Sequence, residues 1–131
     1  MTGVQTCALP ISIRTMLYSL DFDINMIDEV YVAGGIGSGI NMQNAVYIGM
    51  FPDIPLEKFH YIGNSSLTGT YLMLLSTEAE KKTYELASNM TYMELSAVPT
   101  YMDEFVGACF LPHTDTSLFP SVMEKMSAIG D

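Results

Sequence analysis

The sequence predicts an α/β fold, because a strand, a glycine turn and a helix follow one another twice along the chain. The first copy begins with an apolar, β-branched run at residues 30–33, which is typical of a strand buried on both faces. Four glycines in the next six residues lead to Asn41, a good helix N-cap. The second copy has an apolar strand at residues 59–62, a turn at Gly63 and Asn64, and a helix at residues 66–75. This repeated design predicts a short sheet with helices packed against it.

Length and composition indicate one globular domain with a real core. The chain has 131 residues, of which 49% are hydrophobic and 15% are charged. Its net charge of −10 argues against a nucleic acid or an anionic membrane surface as a partner, since both need clustered Lys and Arg. No apolar run is long enough for a transmembrane helix. Two cysteines are too few for a disulfide framework, so we expect a reducing cytoplasm.

The first eleven residues, MTGVQTCALPI, look unlike the rest of the chain. They resemble the peptide obtained by translating the reverse complement of a common short-read library adapter. We therefore expect residues 1–11 to be an assembly artefact, and leave them out of the fold. A signal peptide is the alternative, but its basic start and long apolar centre are missing. We therefore expect the protein to extend upstream of Ser12, which would make residues 12–131 a fragment.

Helical periodicity predicts the elements around the first strand. Residues 13–20 place four apolar side chains on one face of a short helix, namely Ile13, Met16, Leu17 and Leu20. Residues 42–48 are predicted to form a helix after Asn41, with Ala45 and Ile48 inward. Gly49 ends that helix, and prolines make residues 52–55 a loop.

The second half of the chain is predicted to contain two more helices and an edge strand. Thr77 and Glu80 have the spacing of a capping box, and the buried side of the helix after them is Thr83, Leu86, Ala87 and Met90. Residues 91–95 indicate a third strand. Pro99 suits the first turn of a last helix with an apolar stripe of Met102, Phe105, Val106, Cys109 and Phe110. From Leu111 onward, Pro, Thr and Ser favour a tail that lies over the surface.

Side chains for catalysis or metal binding are not grouped in the sequence. His60 and His113 lack ligand-spaced partners, and we interpret His113 with Asp115 as a local turn contact. Cys109 falls on the predicted inward face of the last helix, which indicates a buried structural thiol. Asp103 and Glu104 point in different directions from one helix, so we expect a solvated edge and not a catalytic pair. We therefore predict no catalytic residue and no metal ligand.

The glycine segment is the candidate site. A strand that ends in glycines before a helix presents backbone N–H groups at the carboxyl end of the strand, where α/β sheets bind phosphate-bearing ligands. The pattern matches neither the Rossmann nor the P-loop signature. A tight strand–helix connection without a ligand is an equally good interpretation of the glycines alone. A site of this kind can bind a nucleotide, but it has no side chain with which to transform one.

Several motifs, in this order, resemble a known family. Residues 30–37 (VYVAGGIG) are similar to the adenosine motif of the superfamily of actin, sugar-kinase and heat-shock-chaperone ATPases. Four further stretches resemble the C-terminal ATPase region of reductive activators of corrinoid proteins. They are residues 48–55 (IGMFPDIP), 62–66 (IGNSS), 91–96 (TYMELS), and 103–106 (DEFV) through Leu111 and Pro112. Ile36 departs from the Phe that is common in that family.

The resemblance implies an actin-like (ribonuclease H-like) ATPase lobe, truncated at its N-terminus, in residues 12–131. Its parent would carry a ferredoxin-like domain with a 2Fe–2S cluster and would use ATP to reduce a Co(II) corrinoid to Co(I) for methyl transfer. The expected partners are a corrinoid protein and a nucleotide, with a homodimer as a further possibility. The cluster, the phosphate loops and most of the Mg²⁺ ligands would lie in the part upstream.

The resemblance also assigns site residues, all to one wall of half a cleft. On the adenosine side these are Gly34, Gly35, Ile36 and Gly37, with Asn64 and Ser65 at the second strand–helix turn. Two alternatives stay open beside this one. One is a non-catalytic docking or dimerisation lobe; the other is a lobe of another superfamily member, such as an acyl-CoA dehydratase activator or a sugar kinase.

Overall fold

The computed structural model describes residues 2–110 and 113–129. Its strands are β1 (Val30–Ala33) and β2 (Phe59–Gly63), and its helices are α1 (Thr2–Ser19), α2 (Gly35–Gly39), α3 (Met42–Tyr47), α4 (Ser65–Leu75), α5 (Thr77–Asn89), α6 (Tyr101–Ala108) and α7 (Pro120–Ile129). Short 3-10 turns lie at Ile24–Met26, Leu56–Lys58, Leu95–Ala97 and Thr116–Leu118. None of these helices is long and apolar enough to cross a membrane.

The two strands pair in parallel, with Val30 opposite Phe59 and Val32 opposite Tyr61. A parallel pair needs a crossover connection, which residues 34–58 supply with α2 and α3. The arrangement confirms the predicted α/β fold with its short sheet and packed helices.

Burial of the first strand on both faces was a wrong prediction. Side chains alternate in direction along a strand, and Val30 and Val32 are half-buried while Tyr31 is 60% exposed. The same open face carries His60 and Ile62 of β2. One face of the sheet is therefore packed against the core and the other is open among the described residues.

The main core lies where α3, the loop after it and α7 meet. It contains Ala45 and Val46 from α3, Phe51 from the loop, and Phe119 and Val122 from the chain end. Val46, and not the predicted Ile48, accompanies Ala45 inward; the cap residue Ile48 is 42% exposed.

The chain end is not the predicted surface tail. Leu111 and Pro112 lie outside the described residues, but α7 begins at Pro120 and its first turn contributes to the core. Pro120 begins the helix because the missing N–H of a first-turn proline costs no hydrogen bond there. Asp53, in the loop predicted from its prolines, accepts hydrogen bonds from the backbone N of Ser121 (2.7 Å) and from its hydroxyl (2.6 Å). The loop thus caps the helix.

Helix α1 packs against α6 and begins at Thr2, upstream of the amphipathic stretch at residues 13–20. Residues 2–11, which the sequence analysis left out of the fold, form its first half. Ile11 is 3% exposed and packs with Ala108 and Tyr101. The inward side of α1 therefore carries Ile11 and Thr15, whereas the predicted Met16 and Leu20 are exposed.

Helices α4 and α5 form a hairpin whose junction differs from the predicted capping box. Ser76, and not Thr77, is the N-cap of α5: its hydroxyl accepts a hydrogen bond from the backbone N of Ala79 at 3.2 Å. The predicted buried side of α5 (Thr83, Leu86, Ala87 and Met90) is exposed. Periodicity identified an apolar face, but no described element covers it.

Residues 91–95 and helix α6 also depart from prediction. No strand forms at 91–95; the segment is irregular and enters the turn Leu95–Ala97, since no described strand lies beside it to pair with. Pro99 precedes α6, and Thr100 is its N-cap. The predicted apolar stripe of α6 is exposed, including Cys109, while Ala108 is its buried residue. The buried structural thiol was therefore a wrong prediction.

Candidate functional site

The glycine segment starts a helix earlier than predicted. Gly34 has φ 92° and ψ 173°, a backbone conformation that side-chain-bearing residues rarely adopt, and α2 begins at the next residue, Gly35. Asn41 caps the separate helix α3, as predicted: its side chain accepts a hydrogen bond from the backbone N of Asn44 at 3.0 Å. The glycines thus form a sharp turn and a short helix instead of one continuous loop.

The second turn has the same layout. Gly63 ends β2 with φ 68°, and the Asn64 side chain accepts a hydrogen bond from the backbone N of Leu67 at 3.0 Å. Asn64 is therefore the N-cap of α4, and Ser65 is its first residue. The side-chain oxygen of Asn64 is thus used in the cap, and the side-chain NH₂ is its donor group.

The structure brings the two turns together at one edge of the sheet. The backbone N of Gly34 donates a hydrogen bond to the Gly63 carbonyl at 2.8 Å. Parallel strands end at the same edge, so Gly34 and Gly35 lie beside the turn that holds Asn64 and Ser65. Ile36 and Gly37 follow in α2; the side chain of Ile36 lies outside what the structure describes.

The space around the glycines differs from one to the next. A Cβ on Gly34 or Gly35 would meet nothing within 4 Å, so the surface over the turn is open. A Cβ on Gly37 would lie 2.5 Å from the Tyr61 ring and 3.0 Å from Val32. Gly37 therefore lets α2 pack closely on the sheet, whereas Gly35 leaves room for a ligand.

Tyr61 is a member of this site that the sequence analysis missed. Its hydroxyl donates a hydrogen bond to the Gly34 carbonyl at 3.0 Å, and its ring lies against Gly37. Tyr61 lies opposite Val32 in the parallel register, which places both side chains under α2. Because this register pairs segments that are distant in the sequence, no local sequence pattern reveals it.

Tyr31 and His60 lie on the open face of the sheet, next to Glu29. The Tyr31 hydroxyl donates a hydrogen bond to the Glu29 carboxylate, and this bond raises the pKa of Tyr31 above its ordinary value. His60 Nε2 lies 3.9 Å from Glu29 Oε1, and the His60 ring is 5.5 Å from that of Tyr31, centre to centre. All three side chains are largely exposed, which suits a solvated cluster.

The structure also gives the contacts of the other histidine and of the carboxylates that the sequence analysis considered. The backbone N of Asp115 donates to Nδ1 of the buried His113 at 3.0 Å, which confirms the local turn contact. Glu104 is not the solvated edge that was predicted; it forms a bidentate pair with Arg14. Within residues 2–110 and 113–129, no group of three His, Cys, Asp or Glu side chains could hold a metal ion.

Enclosed space lies away from the glycine turns. A cavity of about 240 Å³ is bounded by α1, the loop after α3 and the start of α7, with Arg14 and Asp53 among mainly apolar walls. The turns themselves lie on an open surface with backbone N–H donors. Such a surface can bind and orient a ligand.

Comparisons with known proteins agree with the resemblance seen in the sequence. A family model described as the C-terminal domain of RACo, the ASKHA domain, matches residues 4–123. The corrinoid activation enzyme RamQ of Eubacterium limosum is 31% identical over 80 residues, which cover 61% of this chain and 14% of RamQ.

A solved structure, the reductive activator for corrinoid, iron-sulfur protein, superposes with a TM-score of 0.84 at 49% sequence identity. The match covers 88% of this chain and 18% of that one, so the chain spans less than a fifth of either relative. The fold and the family match identify the same domain. The chain therefore belongs to the family of RACo C-terminal domains, the ASKHA domain.

Proposed function

We propose that this domain forms the adenosine-side wall of the nucleotide cleft in an ATP-dependent reductive activator of corrinoid proteins. The observation that carries the proposal is the hydrogen bond from the Gly34 N to the Gly63 carbonyl, at 2.8 Å. It joins two strand–helix turns into one open surface of backbone donors, which suits a nucleotide. Both named relatives are corrinoid activators, which favours this proposal over a sugar kinase or an acyl-CoA dehydratase activator.

The residues of the chain fit a nucleotide better than they fit the other groups of such an activator. A Cβ built on Gly34 or Gly35 would have no neighbouring atom within 4 Å, so the space over both residues is open to a ligand. Mg²⁺ would be held mainly by residues outside this chain, since the described residues offer no carboxylate cluster. A 2Fe–2S cluster takes four ligands, and the chain has only two cysteines, so the cluster would also lie elsewhere in the parent protein.

In this role the chain binds and orients the nucleotide and supplies no catalytic side chain. Gly34 to Gly37 contribute backbone surface, and Asn64 and Ser65 border it from the second turn. ATP hydrolysis by the complete cleft would drive an electron onto the Co(II) corrinoid of a partner protein. The reducing setting that this chemistry needs suits the exposed thiol of Cys109 and a cytoplasmic location.

Nucleotide titration of the ¹⁵N-labelled chain tests the proposal. MgADP is expected to shift the amide signals of both turns, with a Kd of about 1 mM for half a cleft, or roughly −4 kcal/mol. Gly35→Val should abolish these shifts because it fills the approach to the backbone. Gly39→Val is the matched control, since Gly39 lies in the same helix with open space around it. Unshifted turns in the wild-type chain, or equal binding by Gly35→Val, would overturn the assignment.

A docking or dimerisation lobe is the second candidate, favoured by the exposed apolar side chains of the α4–α5 hairpin. Leu74 is 80% exposed and Met90 is 79% exposed. Capture of a corrinoid protein by the chain without nucleotide would favour docking. Concentration-dependent sedimentation of the chain alone would favour a homodimer.

We also propose that residues 1–11 come from a sequencing adapter. The support is their likeness to the translated adapter, although the family match begins at residue 4 and Ile11 has a packed position in α1. Adapter-trimmed sequencing of the gene tests this directly. The same eleven codons in trimmed reads would contradict it.

A further inference from the structure

The peptide bond between Gly34 and Gly35 has two possible orientations, and the residues on either side do little to choose between them. A planar trans peptide holds its C=O and N–H in opposite directions. Rotation of this peptide therefore exchanges the Gly34 carbonyl, an acceptor, for the Gly35 N–H, a donor, on the open surface. Neither flanking residue has a Cβ that would restrict this rotation.

A contact from β2 holds that peptide: its Gly34 carbonyl accepts a hydrogen bond from the Tyr61 hydroxyl at 3.0 Å. The preceding peptide is held separately, because the Gly34 N–H donates to the Gly63 carbonyl at 2.8 Å. With the carbonyl directed toward Tyr61, the N–H of Gly35 points away from it. Gly35 is the first residue of α2, so its N–H has no partner within the helix.

The position of the Tyr61 hydroxyl is itself fixed by packing. Two atoms of the Tyr61 ring would lie 2.5 Å and 2.6 Å from a Cβ on Gly37, so the ring fills the space that a side chain there would need. Tyr61 lies opposite Val32 in the sheet. The absence of a side chain at Gly37 lets the ring lie under α2. Tyr61 is still 47% exposed, so the hydroxyl reaches the turn from the edge of the packed layer.

We infer that Tyr61 is a positioning residue for the nucleotide site: by holding the Gly34 carbonyl, it keeps the Gly35 N–H directed outward as a donor. This inference rests on the proposed function, because it assigns Tyr61 a role in binding at the same turn. Tyr61 itself need not touch the ligand.

The test compares Tyr61→Phe with Tyr31→Phe in the ¹⁵N,¹³C-labelled chain. Tyr61→Phe keeps the ring under α2 and removes only the hydroxyl. Tyr31→Phe is the matched control, since it also removes a hydrogen-bonded hydroxyl from this sheet, but from the bond to Glu29 on the open face. The measurements are the Gly34 carbonyl and Gly35 amide shifts without ligand, the MgADP affinity, and the thermal unfolding midpoint.

The expected result for Tyr61→Phe is a change in both ligand-free signals and a two- to tenfold weaker MgADP affinity, about what one lost hydrogen bond gives. Tyr31→Phe should change neither, at a similar unfolding midpoint. An affinity of Tyr61→Phe equal to that of the wild type, or a loss matched by Tyr31→Phe, would overturn the inference and leave the proposed function standing. A wild-type chain that binds no MgADP would overturn both.

Discussion

Arg14 in α1 and Glu104 in α6 form a bidentate ion pair, with Nε to Oε2 at 2.5 Å and Nη2 to Oε1 at 3.0 Å. Their side chains are 31% and 20% exposed, so the pair is partly shielded from solvent. It lies in the same α1–α6 contact as Ile11 and Ala108 and links the first helix to the sixth.

Glu104→Gln should therefore lower the free energy of unfolding by about 1 kcal/mol, because it leaves the guanidinium without its charged acceptor. Urea unfolding followed by circular dichroism measures the change. Asp103→Asn is the control: it removes the same charge from the adjacent, exposed position. An equal loss in both variants would mean that net charge, and not the ion pair, is responsible.

Phe119→Ala tests the position of the chain end in the main core. Phe119 is 8% exposed and clusters with Phe51 and Val122, so truncation should cost about 3–5 kcal/mol. Met126→Ala removes an exposed apolar side chain from the adjoining helix α7 and should cost far less. A Phe119→Ala variant as stable as Met126→Ala would contradict the packed position of α7.

The carboxylate of Asp115 gives a pH-dependent prediction. It accepts hydrogen bonds from the hydroxyl of Ser117 at 2.6 Å and from its backbone N at 3.0 Å. These bonds, the hydroxyl first, hold the pKa of Asp115 below its ordinary value. A carboxyl with a lowered folded pKa stabilises the fold above its unfolded pKa of about 4, and that contribution is lost as the pH falls through the lower folded pKa.

Ser117→Ala should raise the pKa of Asp115 toward its ordinary value, as measured by NMR titration of the side-chain carboxyl. Ser127→Ala is the comparison, because the Ser127 hydroxyl donates to the Glu124 carbonyl and has no link to Asp115. An Asp115 pKa that does not respond to Ser117→Ala would show that the hydroxyl bond is not its cause.

Local chemistry made part of this fold predictable. Both strand–turn–helix units were identified because their signals lie within a few residues: an apolar run, a turn that contains glycine and, in the first unit, the cap Asn41. The six predicted site residues fall in these units, at the two turns that the structure brings together.

The features that the sequence did not predict depend on tertiary contacts. Leu86 and Met90 have helical spacing, yet they are exposed because spacing reveals an apolar face and not whether an element covers it. Phe119 was assigned to a surface tail because Pro, Thr and Ser are frequent from Leu111 onward, but Pro120 begins a helix. Tyr61 was missed because its partner, Gly34, lies in the turn after the other strand, far away in the sequence.

The order of folding follows from how far apart the contacting segments lie in the chain. The α4–α5 hairpin forms between neighbours, whereas β1 and β2 pair only after residues 34–58 have closed into a loop, and Asp53 must find Ser121 across 68 residues. Contacts that close long loops form slowly, so we expect the hairpin to be helical before the sheet exists. The glycine turn, which needs Gly63 and Tyr61 beside it, would then take its final shape among the last events of folding.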